Sequence, residues 1–129
     1  MESILLWSYL LNLVFLILHE IDGAYWKEWR FFGDFGRSLS DATGLAVYLW
    51  AHVPIFIILL YGLVSLDSLP GRILSIIFSG FMICHFFLHV LFKKKGHEGF
   101  EPLASRLIFT GTLALSALQF TATILLLAE

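Results

Sequence analysis

Four histidines in this chain fall where histidines are rare, inside long apolar runs. His19 ends the first run, His52 lies within the second, and His85 and His89 lie within the third. His85 and His89 are four residues apart, the spacing that places two side chains on one face of a helix. Carboxylates accompany them. Asp22 follows His19 by three residues and shares its face, whereas Glu20 is turned roughly 100° away. Asp41 falls on the stripe of His52, and Glu28 would need a bend near Gly23 to join the group. Neutral imidazole donates a nitrogen to a metal ion, and a carboxylate either ligates directly or holds the second ring nitrogen. A histidine-rich set with one or two carboxylates is the ligand chemistry of zinc or non-haem iron.

The spacing gives these residues a common depth. With helix one continuing to Arg30, His19 is about 15 Å from its end at ~1.5 Å per residue; His52 counted from Asp41, and His85 from Lys95, fall at a similar level. Three antiparallel helices would therefore bring His19, His52, His85 and His89 together as metal ligands. Glu20 and Asp22 are the candidates for ligand, ligand-orienting group or general base. Packing alone offers a second account: His85 and His89 bonded to backbone or hydroxyl groups, and His19 paired with Asp22. A b-type haem with two axial histidines is a third. His97, after Lys95 and Gly96, reads as a solvated loop residue.

A second polar layer lies deeper. Asn12 is seven residues before His19 and almost on its face, and Ser105, Thr112, Ser116, Gln119 and Thr123 form one stripe in the last run. Asn12 and Gln119 fall at similar depth, which suits interhelical hydrogen bonding, with a substrate-lining wall as the alternative.

The elements that must position these residues follow from composition. The 129 residues are 59% hydrophobic and 14% charged, with mean hydropathy +0.87. Ordinary soluble domains hold roughly 45–50% apolar residues. The apolar runs Ile4–Ile21, Leu45–Leu66, Ile73–Phe92 and Leu103–Ala128 are each near the ~20 residues that cross a hydrocarbon core. In lipid a backbone must satisfy its own hydrogen bonds, so such runs become helices. The expectation is an all-α, single-domain integral membrane four-helix bundle, with spans near 4–24, 42–66, 71–94 and 102–128. The first run has no basic n-region and no small-residue cleavage site, so it reads as a retained span. Asp67, Ser68 and Pro70 suit a helix start, as does Glu101-Pro102, and Pro54 predicts a kink in helix two. Lys93 to Lys95 suit the C-terminal dipole of span three, with Gly96 as its stop. Tyr25, Trp26, Trp29, Phe31 and Phe32 suit an interfacial aromatic belt.

Charge orients the bundle. Of eight Lys and Arg residues, only Arg72 lies on the side of the chain ends. By the positive-inside rule both basic loops face the cytoplasm and both termini lie outside, in a multi-pass protein of the inner (cytoplasmic) membrane. A net charge of −2 with no basic-aromatic groove excludes nucleic acid as a partner. The partners expected are the bilayer, with a lipid-like substrate or a larger membrane complex. The single cysteine, Cys84, excludes a disulfide framework and any multi-cysteine metal site.

Several catalytic families are excluded as well. His19-Glu20 begins like a zincin helix, but Gly23 stands where the second histidine is needed. His85 and His89 have the two-histidine spacing without the glutamate base. The histidine count falls short of the membrane desaturases, and no phosphate-binding glycine loop or nucleophile elbow is present. The set His19-Glu20-x-Asp22, Glu28-Trp29-Arg30, Ala51-His52-Val53-Pro54 and His85-x-x-x-His89 resembles small bacterial four-span proteins related to the HXXEE membrane-protein family. That resemblance covers nearly the whole chain. It implies a four-span architecture and an important His19, and no settled activity.

Overall fold

Long apolar runs with few helix breakers leave the backbone one way to pair its polar groups, and the chain takes it. A computed structural model describes residues 1–31, 33–94 and 102–129. Helix α1 covers Glu2–Tyr25, and a 3-10 turn covers Glu28–Phe31. The short α2 is Gly33–Ser38, followed by the long helices α3, Asp41–Val64, α4, Leu69–Lys94, and α5, Leu103–Ala128. Four of these, α1, α3, α4 and α5, are long and apolar enough to cross a membrane. No strand occurs among the described residues.

Helix ends follow local chemistry. The Ser40 hydroxyl accepts from the Thr43 N–H at 3.2 Å and caps α3. Ser68 accepts from the Gly71 N–H at 3.3 Å before α4, with Pro70 in the first turn. Pro102 leads into α5. α3 continues through Pro54. Gly96, Glu101, Phe32 and His97 lie outside the described residues.

One boundary differs from expectation. α1 does not run on to Arg30; it stops at Tyr25, and Lys27 takes a left-handed φ of 56°. A non-glycine residue there is uncommon and reverses the chain sharply. The reversal folds the 3-10 turn back over the end of the bundle. Trp29 is consequently not a belt residue but buried, its indole against Gly44 of α3 in space that a Cβ would occupy.

The long helices close a ring, with α1 on α5, α5 on α4, α4 on α3 and α3 on α1. α1 and α4 face each other across the diagonal. The centre of the ring is polar. Asn12, Ser75, Ser116, Gln119 and Thr123 have no exposed surface, whereas Trp7, Ile57, Val64 and Phe81 are more than half exposed. Water would penalise such an inside-out distribution, and lipid accommodates it. The polar residues bond across helices: Asn12 Nδ2 donates to Gln119 Oε1 at 2.8 Å, and the Ser116 hydroxyl donates to Asn12 Oδ1 at 3.1 Å. Gln119 Nε2 reaches the Ser75 hydroxyl at 3.0 Å, and Ser75 meets Thr123 at 2.9 Å. This layer ties α1, α4 and α5 at one depth, as the spacing of Asn12 and Gln119 implies. Tyr9, Leu13, Leu16, Leu59, Phe78 and Met82 form the apolar core beside it.

Candidate metal centre

Below the folded-back turn, side chains from α1, α4 and the turn itself converge on one point. The Nε2 atoms of His19 and His85 are 2.9 Å apart, and those of His85 and His89 are 3.0 Å apart. Glu28 Oε1 lies 3.1 Å from His89 Nε2 and 3.5 Å from His85 Nε2, and Glu28 Oε2 lies 3.8 Å from His19 Nε2. One donor atom from each of the four residues lies within 4.8 Å of the others. His19 and Glu28 are buried, and His85 and His89 are partly so. His85 and His89 meet because they are one helical turn apart. His19 reaches them across the diagonal, and Glu28 arrives because the chain reverses at Lys27. The shorter α1 leaves the site shallower than the sequence suggested, with His19 about 9 Å from the helix end at ~1.5 Å per residue.

Simple pairwise hydrogen bonds do not account for this arrangement. Each Nε2 carries at most one hydrogen or one lone pair. The contacts His19–His85, His85–His89 and His89–Glu28 therefore cannot all be two-centre hydrogen bonds. A cation at the point of convergence meets every donor at once. The distances fit one: four donors placed tetrahedrally at the usual 2.0–2.1 Å of zinc–nitrogen and zinc–oxygen bonds are separated by about 3.3 Å. Three imidazoles and one carboxylate are a donor set that could hold a metal ion. Burial pushes the Glu28 carboxyl up, but the His85 and His89 contacts and the nearby His19 hold it well below the usual carboxylate range. It is thus an anion at neutral pH, as a metal ligand must be.

Aromatic rings wall the site. Phe109 meets the rings of His19 and His89 edge-on at 4.8 and 4.6 Å, and Phe31 closes on His89. A small pocket beside the histidines is lined by His19, Met82, His85, Phe86, Phe109 and Thr112. Thr112 thus belongs both to this wall and to the stripe that continues to Ser116 and Gln119.

The structure does not bring every candidate together. His52 stays with α3, its Nε2 2.8 Å from Glu20 Oε2 and its Nδ1 2.7 Å from the Tyr48 carbonyl oxygen. Glu20 points towards α3, where the Tyr48 hydroxyl donates to it. Asp22 remains half-buried outside the four, one of its oxygens buried without a hydrogen bond among the described residues. Asp41 is at the surface, paired with Lys27 at 2.6 Å and with Arg30. Two residues carry more than their sequence context suggested. Glu28 supplies the carboxylate, and Tyr48 sits between Glu20 and Glu28, 3.4 Å from the latter. Tyr48 precedes His52 by one helical turn, and that spacing was its only signal.

Gly23 makes the crowding feasible. A Cβ there would collide with Glu28 Oε2 and the Tyr48 hydroxyl.

Comparison with protein families places the chain in a family. Residues 5–126 match the family of unknown function DUF6713, and the chain belongs to it. No curated protein and no solved structure matches it. The likeness to the HXXEE proteins rests on the short motifs alone.

Proposed function

We propose that this member of DUF6713 is a multi-pass membrane protein that holds a zinc or iron ion on His19, Glu28, His85 and His89. The observation that carries the proposal is the convergence of three imidazole nitrogens and a carboxylate whose contacts cannot all be two-centre hydrogen bonds. Ionisable groups at such depth are costly and mark function. The bundle lies in the inner membrane with both termini outside, so that the metal centre and the basic loops are on the cytoplasmic side. This orientation follows from the distribution of Lys and Arg.

A metal ion in this donor set acts as a Lewis acid or activates water or oxygen. His85 is 20% exposed and Glu20 15%, so the neighbourhood of the site is open at the seams between helices. A substrate arriving there comes from the bilayer, which favours a lipid-like molecule. The haem alternative is poorly served: a porphyrin must lie between its axial nitrogens, and here the histidine nitrogens are in mutual contact. An accessory subunit with a structural metal fits the same geometry.

The test is elemental analysis of detergent-purified protein together with its visible spectrum. Stoichiometric zinc or iron without a haem band supports the proposal. A haem band or a metal-free protein overturns it.

A further inference from the structure

We infer that a second divalent cation binds beside the first, on Glu20, His52 and Tyr48, with Glu28 bridging the two. The inference rests on the metal centre proposed above and turns it into a two-ion centre.

The His52 ring supplies the first reason. Its Nδ1 lies 2.7 Å from the Tyr48 carbonyl oxygen, an atom that only accepts, so Nδ1 carries the hydrogen. A neutral ring then presents its lone pair at Nε2, and 2.8 Å from that lone pair stands a carboxylate oxygen of Glu20. Two such atoms at that distance share either a proton, as an imidazolium–carboxylate pair, or a cation that both ligate. A backbone carbonyl that fixes Nδ1–H and aims Nε2 outward is the usual device for orienting a metal-binding imidazole.

Tyr48 and Glu28 supply the second. The Tyr48 hydroxyl has one hydrogen and faces two carboxylates, Glu20 and Glu28. Glu28 Oε2 lies between the two clusters, 3.8 Å from His19 Nε2 and next to Tyr48. Oε1 faces His85 and His89, and Oε2 faces the Tyr48 hydroxyl at 3.4 Å. A carboxylate so placed bridges two ions at the roughly 3.5–4 Å separation of two-metal sites. Gly23 keeps free the space where Glu28 Oε2 and the Tyr48 hydroxyl meet α1.

The two sites differ in character. The first offers three nitrogens and one oxygen, and the second one nitrogen and three oxygens. Harder divalent ions such as manganese or iron(II) suit the second better than the first. Its position also gives it an entry route, because His52 is 20% exposed and Glu20 15% at the seam between α1 and α3.

The experiment is a zinc titration of the full-length, metal-stripped protein in detergent, read by calorimetry and by bound metal after gel filtration. The wild-type chain is expected to take up two equivalents, a result that needs no variant to fold. His52→Ala and Glu20→Gln should each take up one, and His85→Ala should lose the tighter one. Loading with manganese should give an exchange-coupled paramagnetic spectrum in the wild type and an uncoupled one in His52→Ala. One equivalent in the wild type, unchanged in His52→Ala and Glu20→Gln, would overturn the second site, put a shared proton between Glu20 and His52, and leave the first site standing. Uptake of no zinc would overturn both.

Discussion

Removing the metal should loosen the bundle across its diagonal. The ring contacts join α1 to α5 and α3, and α4 to α5 and α3. The apolar core already packs Tyr9 of α1 on Phe78 of α4, and the histidine–carboxylate group adds a second direct link from α1 and the 3-10 turn to α4 at the other end. An ion that binds only the folded bundle stabilises it by mass action, by roughly 4 kcal/mol at a thousandfold excess over its dissociation constant. For a chain of this size that is a fall of about 15 °C in thermal midpoint on chelation. The assay is thermal unfolding of the detergent-solubilised protein with and without a strong chelator. His19→Ala, His85→Ala, His89→Ala and Glu28→Gln should each lower the midpoint and remove most of the chelator effect, because each breaks the same ion's ligand set. His52→Ala should keep a clear chelator response. Packing alone predicts the opposite pattern: no response to chelator, and separate, additive losses from the four substitutions. That pattern would refute the reasoning.

Other predictions follow from neighbouring features. Gly23→Ala should displace Glu28 and Tyr48 and weaken metal binding by roughly 10- to 100-fold, the usual effect of disturbing ligand support, while circular dichroism stays unchanged. Asn12→Leu and Gln119→Leu should each cost about 1–2 kcal/mol, since each leaves its partner buried and unpaired, and the double variant should recover part of the loss in a double-mutant cycle. Metal-linked stability should be lost on acidification, because protonated imidazole cannot ligate. Glu28, held below the ordinary carboxylate range, stays anionic through that step, so metal release measured against pH should follow the histidines. Tags at Met1 and Glu129 should both report the non-cytoplasmic side; reporters on opposite sides would contradict the four-span arrangement.

Much of this architecture is legible in the residues, for reasons of period and length. The spans can be read because lipid allows a long apolar run little besides helix. The polar layer is legible because Asn12 and Gln119 lie at matching depth in their helices. His19, His85 and His89 meet as their spacing implies. His52 does not join them, because Glu20, one residue after His19, faces α3 and claims its Nε2. Sequence pattern shows the level of a side chain along a helix better than its partner across the bundle. Glu28 could not be placed, because its position depends on a left-handed turn at Lys27, a residue with no particular liking for one. The burial of Trp29 follows from the same reversal and from the absent side chain of Gly44, a tertiary fit with no periodic signature.

The central claim concerns the ligands of a bound metal, and X-ray absorption at the edge of the metal carried by purified protein tests it most directly. The account predicts nitrogen and oxygen neighbours at about 2.0–2.1 Å with imidazole scattering, reduced in His85→Ala and His89→Ala. Sulfur neighbours, a spectrum indifferent to His19, His85 and His89, or a protein that carries no metal at all would contradict it.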